Sequence, residues 1–507
     1  MNGENEKLSG KVAHITYQNQ QNGYTVFLLD MDSEDDIICV GNFPYLTVGD
    51  IVSLEGYFTV HKTYGRQFRV IKCEKEEPTT EAAILRYLSS GAVKGIGPAT
   101  AQKIVRKFGN ESLEIIKNSP KRLSEIRGIS LEKAEQISLE YRQQAGLQDL
   151  MLFLSQYKIS PEHSAKIYKI FGNRAIDIIT NNPYALCREE IGFTFDRADE
   201  LAEIFNIPSD SEYRICSGIE YILRHNLQNG HTCLPREKVS SVAVKLLGCS
   251  ADSADNAIDF LQREFRLRSY TINDIEFLFL PQYYSAEEYI AARLKLLTKY
   301  AKYFPLEELE IDYIENRLHI RYEDMQREAI KKAFASGVFV LTGGPGTGKT
   351  TALNGLIELF ENKDLKVLIA APTGRAAQRI SELTGKEAKT LHRLLEVQWG
   401  EGDKPYFDRN ERNPLVCDVL IIDEMSMVDS LIFESVLRAL RLGTKLILVG
   451  DSDQLPSVSA GNVLHDIIAS DNIPCVRLSK IFRQSDRSLI VYNAHSIING
   501  EQPLLSS

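Results

Sequence analysis

The stretch VFVLTGGPGTGKTTALNGLIELF, Val338 to Phe360, decides how the chain is read. An apolar β-rich segment leads through a glycine-rich turn into a segment whose Leu353, Leu356, Ile357 and Phe360 recur at helical spacing. Strand, loop and helix in that order, with G-x-x-x-x-G-K-T running from Gly343 to Thr350, predict a phosphate-binding loop in an α/β domain. Glycines there let backbone amides close round phosphate oxygens. Gly343, Gly344, Pro345, Gly346, Thr347 and Gly348, with Thr351, are therefore expected to cradle ATP. Lys349 is placed to neutralise the β and γ oxygens, and the Thr350 hydroxyl to ligate Mg2+. The bland alternative is a coincidental glycine loop, which has no reason to join a strand to an amphipathic helix.

Working outward, two more strands supply partners. VLIIDEMSMVD sets Asp423 and Glu424 at the carboxyl end of a four-residue apolar run. At the edge where open α/β sheets bind ligands, Asp423 is expected to hold Mg2+ through water and Glu424 to polarise the attacking water. LILVGDSDQLPSVSAG, Leu446 to Gly461, opens as a third buried strand and ends in Asp451 and Gln454. An amide there can donate to a γ-phosphate and accept from a second group, so Gln454 is expected to sense nucleotide state without adding charge. Gln326, in YEDMQREAI just before the first strand, is placed to read an adenine edge through a bidentate amide contact.

Between these motifs, LKVLIAAPTGRAAQRISELTG ends a strand and begins a helix at Pro372-Thr373-Gly374-Arg375, and KTLHRLL follows. Thr373 and Arg375 offer one grip on a nucleic-acid phosphate; Thr390, His392 and Arg393 offer a second. Two grips on one edge suit a single strand lying across the domain. Taken alone, Thr373 reads equally well as a helix N-cap.

Length and composition bound the rest. A chain of 507 residues with 43% hydrophobic and 25% charged content is expected to hold several globular domains. Eight cysteines without a C-x-x-C pair argue for reduced thiols over a disulfide framework or zinc ribbon. MNGENEKLSGK lacks a signal-peptide core and no apolar run reaches membrane-spanning length, so a cytoplasmic protein is expected, with no membrane partner. A net charge of −10 excludes a histone-like polycation, yet leaves local basic patches free to bind nucleic acid.

The organisation predicted is multidomain. Residues 1–76 carry five short alternating strands with glycine turns, which suit an OB-like β-barrel. Tyr57, Phe58, Tyr64 and Phe68, interleaved with Lys62 and Arg66, are either base-stacking residues or barrel core. Residues 80–205 read as helical and carry an internal repeat: KFGNESLEIIKNSPKRL (Lys107–Leu123) aligns without gaps with IFGNRAIDIITNNPYAL (Ile170–Leu186). Upstream of the first copy, Gly95-Ile96-Gly97 precedes a basic helix, the pattern of a helix-hairpin-helix whose glycine turn offers amides to a DNA phosphate. A second turn, Arg127-Gly128-Ile129, resembles it. In the second copy Lys158 and Ser160 stand where the glycines were, so that copy is expected to keep its packing role and not to touch phosphate. Residues 206–318 are expected to form a helical, winged-helix-like connector, in which His225, His231 and Cys233 read as packing residues rather than metal ligands. A RecA-like ATPase domain is predicted over 319–475 with a hairpin insert at 396–414, and the start of a second, incomplete RecA-like domain over 476–507.

Taken in order, GGPGTGKT, APTGRAA, KTLHRLL, IIDEMSMVD, GDSDQLPSVSAG and LSKIFRQ resemble motifs I, Ia, Ib, II, III and IV of RecD-like superfamily 1B DNA helicases. The barrel and hairpin repeats are similar to the bacterial branch of that family that works outside RecBCD. The resemblance implies ATP-driven movement 5′ to 3′ along single-stranded DNA with duplex unwinding at a junction, in DNA repair or recombination; a monomer is expected. It implies that Arg483 touches the γ-phosphate from a second motor domain, and that the insert EVQWGEGDKPYFDRNERNP is a pin that splits the duplex, with Trp399 either part of that pin or packing the hairpin onto the domain. The sequence stops 24 residues after Arg483. Most of the second motor domain is thus expected to be missing, and this polypeptide alone to bind ATP weakly and turn it over poorly. Two other functions compete: a P-loop ATPase that loads or remodels proteins on DNA, and a non-catalytic DNA-binding module.

Overall fold

Glycines and strand registers explain the first architecture the chain builds. In the computed structural model, residues 6–18, 24–31, 34–42, 46, 48, 50–61, 65–75, 80–89, 93–399, 405–480, 493, 496–497 and 500–504 are described. They divide into two compact units, Met1–Tyr213 and Arg214–Ser507.

In the first unit, β1 (Glu6–Gln18), β2 (Tyr24–Met31), β3 (Glu34–Asn42), β4 (Ile51–His61) and β5 (Gly65–Lys75) close a barrel in the order β1-β2-β3-β5-β4. Alternate residues Val12, Phe27, Leu29, Val52, Leu54 and Phe68 fill its interior. Closure needs strands to approach closely: a Cβ on Gly10 would stand 2.5 Å from the Asp30 carbonyl oxygen. Of the barrel aromatics, Phe68 is core, and Phe58 packs edge-on against it at 5.0 Å while Arg66 covers the Phe58 ring at 4.0 Å. Tyr64 and Lys62 lie outside the described residues.

The internal repeat folds twice, element for element. Helix Pro98–Phe108, the short turn Gly109–Glu111 and helix Ser112–Asn118 correspond to Pro161–Phe171, Gly172–Arg174 and Ala175–Asn181. Gly109 and Gly172 both take positive φ, at 53° and 57°, because each helix ends in a reversal that L side chains resist. Leu113, Ile116 and Ile104 anchor the first copy, Ile167 and Ile179 the second.

The second unit begins within helix Glu212–Leu227 and continues with a small sheet of β6 (Cys233–Pro235), β7 (Arg268–Ile272) and β8 (Ile275–Phe279) in the order β6-β8-β7. Helices Arg236–Leu247 and Ala251–Arg263 lie between β6 and β7 in sequence.

Six parallel strands follow: β9 (Val338–Gly343), β10 (Val367–Ala371), β11 (Ala388–Thr390), β14 (Val419–Ile422), β15 (Lys445–Gly450) and β16 (Cys475–Leu478). They are ordered β11-β10-β14-β15-β9-β16, and the insert β12 (Val397–Trp399) with β13 (Pro405–Phe407) stands apart as an antiparallel pair. The central strands are buried on both faces, which is why they read as continuous apolar runs. Val338, Val340, Leu446 and Leu448 face one core with Phe433 and Val436; Phe339, Leu341, Ile447 and Val449 face the other with Leu353, Ile357 and Phe360. Helix Pro281–Lys299 supplies Ile290, Leu294 and Leu297 to the first core, and helix Glu308–Leu318 supplies Ile311 and Ile314 to the second. Both helices fall in the stretch the sequence reads as a connector. Among the described residues, no helix is long and apolar enough to cross a membrane.

Candidate active site

Parallel registers bring the motifs to one edge. Gly343 pairs with Leu478, Thr342 with Gly450, Leu448 with Ile422, Ile422 with Ala370, and Ala371 with Thr390. The residues just past β9, β10, β11, β14 and β15 therefore emerge side by side at the carboxyl end of the sheet, where doubly wound sheets bind ligands.

The phosphate loop is shaped by backbone conformations that need glycine. Gly346 and Gly348 have φ of 77° and 83°. At Gly343 space decides: a Cβ would lie 2.6 Å from the Leu478 carbonyl oxygen and 2.9 Å from Thr347 Oγ1. Thr347 Oγ1 in turn donates to the Gly344 carbonyl at 2.8 Å. Lys349 folds back over the loop, donating to the carbonyls of Gly343 and Gly344. Burial lowers the pKa of its ammonium, and the charges of Asp451, Glu424 and Asp423 offset part of that.

Asp423 follows β14, and its N–H donates to the Ala370 carbonyl at 2.9 Å. Burial pushes its carboxyl up to about 6; the neighbouring Glu424 charge adds to the rise while Lys349 and Arg379 oppose it. Glu424 sits at φ 53° and ψ 41°, a left-handed conformation that costs a non-glycine residue about 1–3 kcal/mol. That reversal starts the short helix Met425–Met427 at once and keeps both acids at the sheet edge. Beside them Asp451, 2% exposed, accepts from the Asp453 N–H at 3.1 Å, and its Oδ2 lies 3.4 Å from Gln454 Nε2.

Gln326 belongs to the first turn of helix Asp324–Ala335. Its Oε1 accepts from Glu323 N–H at 3.0 Å, and its Nε2 donates to the Gly348 carbonyl at 3.1 Å. The structure therefore ties it to the phosphate loop, and the side chain is buried. Half of the amide's hydrogen-bonding capacity is used by these two contacts, and one lone pair and one N–H remain.

Thr373 and Thr390 both cap helices, their hydroxyl oxygens accepting from Ala376 N–H and Arg393 N–H at 3.2 Å each. Capping uses the oxygen as acceptor and leaves the O–H to donate elsewhere. Arg375 and Arg393 are exposed. The His392 ring lies 5.9 Å from that of Phe407 in β13, joining this grip to the hairpin. Strand β12 ends at Trp399, whose side chain lies outside the described residues, as does Arg483. Thr350 and Thr351 open the helix Lys349–Glu361.

In the first unit, Gly95 (φ 91°) and Gly128 (φ 100°) each sit in a turn, and Lys103 reaches the second, its Nζ donating to the Arg127 carbonyl at 3.3 Å. Gly97 caps helix Pro98–Phe108 with no side-chain hydrogen bond.

Sequence reasoning passed over three participants. Arg379, one helical turn after Arg375, acts electrostatically on both Lys349 and Asp423; its i,i+4 spacing from Arg375 was the available signal. Asp451 was legible as a strand-end acid but not as the partner of Gln454. The Gly348 carbonyl as a Gln326 acceptor had no signal in the sequence.

Four family models match the chain: a YrrC-type ATP-dependent DNA helicase OB-fold domain over residues 5–78, a SAM-like helix-hairpin-helix tandem over 86–143, the helix-hairpin-helix domain of ATP-dependent RecD2 DNA helicases over 143–233, and an AAA domain over 321–506. The ATP-dependent RecD2 DNA helicase of Deinococcus radiodurans is 29% identical over 523 residues, covering 98% of this chain and 70% of its own length. The RecBCD enzyme subunit RecD of Mycobacterium tuberculosis is 38% identical over 220 residues, 38% of this chain and 36% of that subunit. The crystal structure of Pif1 helicase from Candida albicans aligns over 36% of this chain and 45% of its own at 28% identity, with a TM-score of 0.29, which carries no structural argument. The matched OB-fold, helix-hairpin-helix and AAA regions thus follow one another along the chain, which is RecD2-like over nearly its whole length.

Proposed function

We propose that this chain binds Mg-ATP at the β9 loop and couples its hydrolysis to movement 5′ to 3′ along single-stranded DNA, unwinding duplex at a junction during repair or recombination in the cytoplasm. The observation that carries the reading is the convergence at one sheet edge of Lys349, the acid pair Asp423–Glu424, Asp451 with Gln454, and the two threonine-capped grips at Thr373 and Thr390. Direction of travel rests on the family.

The donor set fits a divalent cation. Three acids act electrostatically on one lysine, and burial that raises the Asp423 carboxyl to about 6 disfavours a carboxylate charge that a bound cation would offset. Thr350 and Asp423 are the residues that would hold Mg2+, which when bound neutralises β and γ oxygens. The chain's own groups do the rest. Lys349 exchanges the carbonyls of Gly343 and Gly344 for phosphate oxygens, Glu424 accepts the proton of the attacking water, and Gln454 registers the γ-phosphate. Arg483 is assigned to the same phosphate from the following segment. The β12–β13 hairpin, with Trp399 at its tip side, is assigned to strand separation.

Fluorescence anisotropy of a labelled single-stranded oligonucleotide tests the coupling. Its affinity for the chain should shift when a non-hydrolysable ATP analogue binds, and the shift should vanish in Lys349→Ala and Gln454→Ala. An affinity indifferent to nucleotide would remove the reading in favour of a non-catalytic DNA-binding module. Strand displacement from 5′-tailed against 3′-tailed forks then separates unwinding from protein remodelling.

A further inference from the structure

A saturated buried carboxylate holds the turn that carries Gln326. Glu315, in helix Glu308–Leu318, is 1% exposed. Its Oε1 accepts from Tyr322 N–H at 2.8 Å and Arg327 Nε at 3.0 Å; its Oε2 accepts from Arg327 Nη2 at 2.8 Å and Arg321 Nη1 at 3.1 Å. Four donors fill what a carboxylate can accept. Arg327 reaches further, to Asp312 at 2.6 Å and Glu308 at 3.4 Å. Between the two partners, Tyr322 lays its ring on Gly355 of the phosphate-loop helix, where any Cβ would collide with the tyrosine hydroxyl. The first turn of helix Asp324–Ala335 is thereby fastened both to the preceding helix and to the helix that follows the phosphate loop.

That rigidity has a chemical consequence at Gln326. An amide oxygen has two acceptor sites and its nitrogen two N–H donors. One of each is used, by Glu323 N–H and the Gly348 carbonyl. Rotating the amide by half a turn would set N–H against N–H and oxygen against oxygen, so the surroundings fix which end is which. One lone pair and one N–H are left over. They complement the adenine edge, where N6 donates and N7 accepts, and they mismatch guanine, where O6 and N7 both accept.

We propose that Arg327 is a positioning residue for base selection: by binding Glu315 it holds the first turn of its helix, and with it the Gln326 amide, in the one orientation that takes adenine nucleotides and rejects guanine nucleotides. The proposal rests on Gln326 being a base contact. A purely structural ion pair would also be costly to break, because removing one partner leaves a buried charge unmatched. The two roles differ in what happens to base preference.

The test uses the 507-residue chain with Mg2+ and a fluorescent ATP analogue, displaced in turn by ATP, GTP and inorganic tripolyphosphate. The unaltered chain should prefer ATP to GTP. Arg327→Met should cut that preference roughly tenfold, the order of one well-oriented hydrogen bond, while tripolyphosphate binding holds. Arg327→Lys, which keeps the charge but loses the planar fork, should fall between, and Asp312→Asn, at the exposed rim of the cluster, should act in the same direction more weakly. An unchanged ATP-to-GTP ratio in folded Arg327→Met, or a parallel loss of all three ligands, overturns the proposal; where that variant does not fold, the Arg327→Lys ratio decides. Gln326→Ala separates the layers. If it keeps the original ratio, or if the unaltered chain has no preference, the base-contact reading has failed and takes the proposal with it. If it loses the ratio while the Arg327 variants keep it, only the positioning role has failed.

Discussion

Gly461 donates its backbone N–H to the carbonyl of Gly230 across 3.1 Å, tying the end of the Gln454 loop to the turn that follows helix Glu212–Leu227. Gly461 has a φ of 114°, and a Cβ there would collide with Ser430 Oγ and stand 2.9 Å from Ser430 N. Ser457 Oγ closes the loop on itself, its one O–H shared between the carbonyls of Ser459 at 2.6 Å and Gly461 at 2.9 Å. A backbone path thus runs from the residue that faces Asp451 to the small sheet of the same unit.

Substituting that glycine should be felt in stability. Gly461→Ala must accept a strained φ and displace Ser430, at a cost of about 1–3 kcal/mol. Urea denaturation of the two proteins gives the difference directly. A wild-type midpoint for the alanine variant would mean that the loop adapts freely, and the path just described would carry nothing.

How far this site could be read in the sequence depends on where its contacts come from. The phosphate loop was legible because local backbone chemistry dictates it: Gly346 and Gly348 need positive φ, and a buried strand must precede them. The hairpin repeat was legible for the same reason, with Gly109 and Gly172 reversing the chain alike. Long-range contacts left no such trace. Gln326 meets Gly348 across 22 positions and Arg327 meets Glu315 across 12, through packing that no spacing rule encodes. Thr373 looked like a phosphate grip or a cap and Thr390 like a grip; both cap helices and remain able to donate, so local reasoning could not separate the two roles.

Lys349→Ala should weaken nucleotide binding yet leave the fold intact. The ammonium donates to two loop carbonyls, while the charges of Asp451, Glu424 and Asp423 act on it. Removing it deletes a charged hydrogen-bond donor to phosphate, worth about 1.5–3 kcal/mol, or roughly ten- to a hundredfold in affinity. Titration calorimetry with an ATP analogue checks this; retention of the original affinity would move phosphate recognition away from the β9 loop.

Lys445 gives a pH dependence with a definite sign. It lies fully buried in β15, with Nζ donating at 2.7 Å to the carbonyls of Phe334 and Ser336 at the end of helix Asp324–Ala335. Burial pushes its amine down from 10.5 to about 8. Between those two values the unfolded chain binds more protons than the folded one, so this group's contribution to stability rises with pH across that window and stays flat at its lowest value below it. The stability difference between the native chain and Lys445→Met should therefore grow in the native chain's favour from pH 8 toward pH 10. A difference that stays flat with pH would show that the two carbonyls compensate the lysine's burial completely.

The two hairpin copies make the most direct prediction about DNA. Ser160 caps the second helix, its hydroxyl accepting from His163 N–H at 3.3 Å, and so occupies an amide that an anion would need. Gly97, at the matching place in the first copy, leaves its amides without a side-chain partner. Its φ of −98° and ψ of 172° are extended, as Ser160's are, and nothing lies within 4 Å of a Cβ built on it, so serine fits without strain. Gly97→Ser should change stability by only about 0.3 kcal/mol, since glycine and serine caps differ little. Affinity for blunt duplex DNA should nevertheless fall severalfold, because the new hydroxyl competes with phosphate for the same N–H groups. Equal duplex affinity in the two proteins, measured by anisotropy at matched salt, would take phosphate binding away from this turn and leave the first hairpin, like the second, a packing element.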